Sequence, residues 1–168
     1  MTSEERREAL LDRLEREAEP VSASSLARSF HVSRQIVVGD VALLRAAGAE
    51  IAATPRGYLL QRQETGLRRQ VVCRHTAEDM ERELNIMVDN GCAVLDVVVA
   101  HPVYGQLTGS LHLRSRYDVG QFIAKAAQAR PLSLLTEGVH LHTLLCPDEA
   151  AFRRCARELS DAGFLWEE

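Results

Sequence analysis

From Glu4 to Glu17 the apolar residues Ala9, Leu10, Leu11 and Leu14 recur at helical spacing among charged residues, and Pro20 follows the last turn. That pattern predicts a first helix. Ser22 is placed to cap a second, whose apolar face is Ala23, Leu26, Ala27 and Phe30 and which ends near His31. Ser33 caps a third through about Ala47, with Val37, Val41 and Leu44 turned inward together and Gly48 as its stop. A tight turn between the second and third helices predicts a helix-turn-helix. Ile51 to Leu60 then reads as two short β-prone pieces around a Pro55-Arg56-Gly57 turn, and these make a two-stranded wing.

Gln61 to Arg69 carries Gly66 and no apolar period, so it is read as the linker between domains spanning 1–62 and 69–168. Beyond it, strand and helix signals alternate. A strand at Val71–Cys73 precedes a helix from Ala77 to Asn90. Strands at Ala93–His101 and Gln106–Arg114 form a hairpin pair, and a helix runs from Asp118 to Ala129. A strand at Val139–Leu145, a helix from Asp148 to Ala162 and a short tail at Phe164–Trp166 complete a βαββαβ order with an appended αβ. The expected class is α+β: an N-terminal winged helix-turn-helix, then an α/β sandwich with a mostly antiparallel sheet.

With 168 residues, 46% hydrophobic and 26% charged, the chain can bury one ordinary core or two small ones, which excludes wholesale disorder. The longest apolar run, Cys92 to Ala100, is broken by Asp96 and falls far short of the roughly 20 residues that a membrane span needs. The N-terminal residues show no export signal, so a cytoplasmic protein without membrane contact is expected. Cys73, Cys92, Cys146 and Cys155 have no CxxC spacing and are read as small buried thiols, with one of them as a metal ligand or redox switch as the alternative. The net charge of −4 conceals a basic stretch over residues 21–62, where Arg28, Arg34, Arg45, Arg56 and Arg62 face only Asp40 and Glu50.

That stretch includes the third helix. A helix entering a major groove presents polar and small side chains from its N-terminal turns. With Val37, Val41 and Leu44 inward, the outward set is Ser33, Arg34, Gln35, Ile36, Val38 and Gly39. Arg34 suits a guanine edge or a phosphate, Gln35 an adenine, and Ile36 or Val38 a thymine methyl, while Gly39 allows close backbone approach. Arg56 at the wing tip suits a phosphate or a minor groove. The same three helices and hairpin also suit a protein-interaction module.

Six histidines are spread along the chain. His140 and His142, at i and i+2 in a strand, emerge on one face about 7 Å apart, close enough to share an ion. His75 lies where the first strand of this half meets its helix, and Glu83, about two helical turns further on, can point back to the same corner. Three imidazoles and a carboxylate suit zinc, nickel, iron or cobalt rather than calcium or magnesium. The His-x-His spacing equally suits two half-exposed strand residues. His101, in His101-Pro102-Val103-Tyr104-Gly105, either supports the ligands from behind, lines a small-molecule site with Tyr104, or simply lines the turn. His31 and His112 are read as surface or packing residues.

Val32-Ser33-Arg34-Gln35-Ile36, with Asp40-Val41-Ala42-Leu43-Leu44-Arg45 and Ala52-Ala53-Thr54-Pro55-Arg56-Gly57-Tyr58-Leu59-Leu60, resembles the DNA-binding domain of the niacin-responsive transcriptional repressors. Arg74-His75-Thr76, His101-Pro102-Val103-Tyr104-Gly105 and Gly138-Val139-His140-Leu141-His142 resemble their three-histidine (3H) regulatory domain. The N-terminal half by itself also resembles the winged helix of bifunctional biotin ligases. The resemblance implies a homodimer that binds a double-stranded DNA operator and represses genes of NAD-precursor uptake or synthesis, with nicotinic acid as co-repressor. It also implies one divalent transition metal ion per chain, zinc, nickel or iron, held by His75, Glu83, His140 and His142. Many related winged helices have a basic residue where this chain has Gly39. The expectation is a non-enzymatic repressor. Its rivals are a metal-responsive repressor without organic effector, and a metalloenzyme with an appended DNA-binding domain.

Overall fold

The computed structural model describes residues 1–62, 64–129, 132 and 136–166. They form two compact units, Met1–Glu64 and Thr65–Glu168.

In the first unit, α1 (Ser3–Arg16), α2 (Ala23–Phe30) and α3 (Arg34–Ala46) precede the antiparallel pair β1 (Ile51–Thr54) and β2 (Gly57–Leu60). Each helix starts on a side chain that satisfies a free backbone N–H. Thr2 and Glu5 form a reciprocal capping box on α1, Ser22 accepts from Ser25 N–H, and Ser33 accepts from Ile36 N–H. At the end of α2, His31 adopts φ +52, and this left-handed residue makes the tight turn into α3. Leu10 and Leu14 from α1, Leu26 from α2, Val37 and Val41 from α3, and Ile51 from β1 close the core. The wing is tied to this core because Val21 pairs with Tyr58. Gly57 is required there: at φ +139, an added Cβ would stand 2.3 Å from the Val21 carbonyl oxygen.

The second unit runs β3 (Leu67–Arg74), a 3-10 turn at Ala77–Asp79, α4 (Met80–Asp89), β4 (Ala93–His101), β5 (Gly105–Leu113), α5 (Arg116–Ala126), β6 (Val139–Cys146) and α6 (Glu149–Asp161). Its sheet has the order β3-β6-β4-β5, and each neighbouring pair is antiparallel. Leu84 and Met87 of α4, Val119 of α5 and Cys155 and Leu159 of α6 pack on Val94, Leu113 and Leu144 of the sheet, giving a two-layer α/β sandwich.

Some boundaries differ from the sequence reading. β3 begins at Leu67, within the stretch read as linker, because Leu67 to Gln70 pair with Thr143 to Cys146 despite their polar composition. The helix expected from Ala77 opens as a 3-10 turn and becomes α-helical at Met80. The tail contributes a single bridge, Leu165 to Cys73, rather than a strand.

Candidate metal centre and nucleic-acid interface

Glu83 interrupts the apolar face of α4. Met80, Leu84 and Met87 are buried around it, and Glu83 itself is 1% exposed. A carboxylate on a core-facing stripe needs a charged or strongly polar partner. The fold supplies three, since His140 and His142 lie on the inner face of β6 and His75 follows the end of β3. His75 Nε2 is 2.7 Å from Glu83 Oε2, while His140 Nε2 and His142 Nε2 are 2.8 and 3.4 Å from Oε1. The three imidazole side chains are only 2–4% exposed.

The far nitrogens decide what this cluster can do. His75 Nδ1 lies 2.7 Å from the Thr76 carbonyl, His140 Nδ1 2.8 Å from that of Gly138, and His142 Nδ1 2.7 Å from that of Asp96. A carbonyl oxygen only accepts, so each Nδ1 carries the donating hydrogen and each neutral ring turns a bare Nε2 lone pair towards Glu83. Three such lone pairs and a carboxylate repel one another unless a proton or a cation lies between them. The orphaned atoms agree: His75 Nε2 and Glu83 Oε2 are buried without a hydrogen-bond partner of proper geometry. This donor set fits a divalent transition metal, with the backbone carbonyls fixing ring tautomer and orientation.

The electrostatics of the metal-free cluster follow from the same contacts. Burial works against charge on Glu83, yet the facing His142 and the hydrogen bonds from the imidazoles hold its carboxyl well below the usual range. Burial opposes protonation of His75 and His142, and Glu83 overcomes it, so both are raised. Cys73 is a buried free thiol, as expected, and its Sγ lies within 4.8 Å of a Glu83 oxygen and a His140 nitrogen. Burial, then Glu83, hold that thiol protonated. The alternation Val71-x-Cys73 into His75 was the available signal.

His101 and Tyr104 occupy the β4–β5 turn. His101 Nδ1 accepts from the backbone N–H groups of Val103 and Tyr104, and its ring lies 5.0 Å from that of Tyr104. Tyr104 is 74% exposed, on the surface rather than in a cavity wall. The structure does not bring this pair to Glu83 by any described hydrogen bond.

At the start of α3 the exposed residues are Arg34, Gln35, Ile36, Val38 and Gly39, and an added Cβ at Gly39 would meet nothing within 4 Å. Ser33, read as a contact residue, uses its hydroxyl oxygen as the α3 cap. Asp40 is buried and takes both Nε and Nη2 of Arg6, at 2.6 and 3.1 Å, so the one carboxylate of α3 is neutralised from α1. That partnership, 34 residues apart, left no sequence signal. Arg56 does not project freely: its Nη1 bonds Glu19 Oε2 at 2.9 Å.

A helix-turn-helix unit joined to a sheet unit with a buried His3Glu cluster points to the class of DNA-binding transcription regulators. Comparison with known proteins agrees: residues 6–59 match a helix-turn-helix domain family and residues 68–168 match the 3H domain family. The chain is 44% identical to the probable transcription repressor NiaR of Thermotoga maritima over 167 residues, 98% of this chain and 95% of that protein. It is 40% identical to the transcription repressor NadR of Bacillus subtilis over 166 residues, 95% and 92% of the two chains. The chain belongs to the niacin-responsive transcriptional repressor family. Among the described residues no helix is long and apolar enough to cross a membrane.

Proposed function

We propose that this protein represses genes of NAD-precursor uptake or synthesis, with nicotinic acid as co-repressor and a divalent transition metal held by His75, Glu83, His140 and His142. The observation that carries the reading is the convergence of three buried imidazole Nε2 atoms on one buried carboxylate, in a chain whose other unit exposes the start of α3. That start carries Arg34 and Gln35 beside Ile36 at 43% and Val38 at 41% exposure, an apolar and polar mixture suited to base edges. Asp40, covered by Arg6, adds no repulsion towards phosphate.

The bound ion supplies a fixed positive charge in the sensor unit. The chain's own residues orient it: the carbonyls of Thr76, Gly138 and Asp96 hold the three rings, and Glu83 supplies the balancing charge. The nicotinate carboxylate is an anion that such a centre or a nearby arginine attracts, and His101 and Tyr104 are candidates to meet the ring. Two chains about a two-fold axis read half-sites about 34 Å apart, or a multiple of that. Co-repression requires that nicotinic acid favour the DNA-competent dimer, and a coupling of roughly 1–3 kcal/mol gives about 5- to 150-fold tighter binding.

The test is a gel-shift titration on DNA from upstream of such genes, with metal and nicotinic acid varied separately. Tightening by nicotinic acid that is lost after chelation, and lost in His142→Ala, is the expected result. Tightening by metal with no response to nicotinic acid would instead make this a metal-responsive repressor. Steady turnover of nicotinic acid or nicotinamide by the purified protein would make it a metalloenzyme.

A further inference from the structure

We propose that Cys73 is a fifth donor to this centre, its thiolate completing the shell around the ion. The inference rests on the reading of His75, Glu83, His140 and His142 as ligands, and goes beyond it by adding a sulfur donor that changes which ions the site prefers.

Three observations lead there. The first is register. Cys73 of β3 lies directly opposite His140 of β6, and Val71 opposite His142. Directly opposed residues of an antiparallel pair share a face with their Cβ atoms about 5 Å apart, so the sheet itself sets the thiol beside the His140 ring. The second is distance and enclosure. Cys73 Sγ, a Glu83 oxygen and a His140 nitrogen lie within 4.8 Å of one another, and donors bonded to one ion at about 2.3 Å for sulfur and about 2.0 Å for nitrogen stand no more than about 4.3 Å apart, so binding draws the side chains together by about 1 Å or less. Cys73 is 0% and Glu83 1% exposed, so both groups are shielded from solvent.

The third is charge. Three neutral imidazoles and one carboxylate leave a divalent ion with a net positive charge in an enclosed site, where uncompensated charge is costly. A thiolate brings the sum to zero. On binding, the Cys73 S–H bond breaks, a sulfur–metal bond forms and the proton passes to solvent buffer; no electron is transferred. A thiolate among imidazoles suits zinc or cobalt better than harder ions such as manganese.

The experiment uses the full-length protein, stripped of metal under reducing conditions and titrated with Co2+. Wild type should develop an intense near-ultraviolet sulfur-to-cobalt charge-transfer band that saturates at one cobalt per chain. Cys155→Ala should keep that band. Cys73→Val should still bind one cobalt, show only weak visible bands, and hold it more loosely by about tenfold or more in competition with a chelator, since even outer partners of ligands cost that much. Cys73→Ser gives the same comparison with a polar side chain should the valine variant fold poorly. One cobalt bound to wild type without the band, or a band that survives in Cys73→Val and Cys73→Ser, overturns the assignment of Cys73. Failure of wild type to bind cobalt at all overturns the metal centre itself, and this inference with it.

Discussion

Replacing Gly138 by alanine tests how tightly the backbone fixes the histidine cluster. Gly138 has φ +87, and a Cβ there would lie 2.3 Å from the carbonyl oxygen of His75, where ordinary contact begins at 3.4 Å. Both atoms belong to backbone, so the end of β3 and the start of β6 must part by about 1 Å, several times the roughly 0.2 Å that ligand distances tolerate. The same glycine's carbonyl accepts the Nδ1–H of His140, so two of the three rings move together. A residue with a Cβ also costs about 1–2 kcal/mol in a left-handed conformation before any clash is counted. For a unit of about 100 residues each kcal/mol lowers the melting temperature by about 4–8 °C, so a fall of about 5–15 °C is expected. Metal affinity should drop by about tenfold or more. Circular-dichroism melting and chelator competition measure the two effects. Gly120→Ala is the control, because Gly120 lies in α5 with nothing within 4 Å of an added Cβ. If Gly138→Ala melted like wild type and held metal equally well, the backbone contact would not fix the cluster and the reasoning would fail.

In the metal-free protein the raised His75 and His142 contribute stability that is complete below about pH 6.5 and is lost as pH rises through their shifted values. Glu83, held low, contributes above about pH 4.5 and loses that as pH falls. Melting curves of chelated protein should therefore peak between these limits, whereas calorimetric metal affinity, competing with the same protons, should climb with pH by about tenfold per unit for each proton displaced. Saturating metal at about 100 times its Kd should stabilise the fold by about 2.7 kcal/mol, read as a rise in melting temperature that EDTA reverses. Arg34→Ala should weaken specific operator binding by about 1–3 kcal/mol if the side chain meets a guanine, measured against a non-specific duplex by fluorescence anisotropy. Asp40→Asn should lower the urea midpoint of the first unit by loosening Arg6 while leaving the exposed face of α3 intact, so at temperatures where the variant is folded its DNA affinity should match wild type.

The local grammar of the first unit was legible because its signals lie within one turn of the chain. Ser22 and Ser33 cap the next residues they meet, and the spacing of Val37 and Val41 defines a buried face without reference to anything distant. The His-x-His pair was equally readable, since strand periodicity alone puts both rings on one side. What stayed hidden depended on contacts far apart in sequence. The insertion of β6 between β3 and β4 gives no local sign, and Leu67–Gln70 becomes strand only because Thr143–Cys146 lies alongside. Arg56 reads as a free wing-tip cation until Glu19, 37 residues earlier, is seen to hold it. Nothing local singled out Cys73 among the four cysteines, because its place beside Glu83 and His140 is set by its cross-strand neighbour and not by its own surroundings in the chain.

The position of β6 also bears on how the molecule is made. The ribosome releases the first unit whole before β6 has been translated, and domains generally fold as they emerge. Yet β6 is an inner strand, flanked by β3 and β4, and it brings two of the three rings that face Glu83. A nascent or truncated polypeptide ending before Val139 therefore has its helix-turn-helix unit complete and neither His140 nor His142 to face Glu83, so the cluster can assemble only after its inner strand has been made.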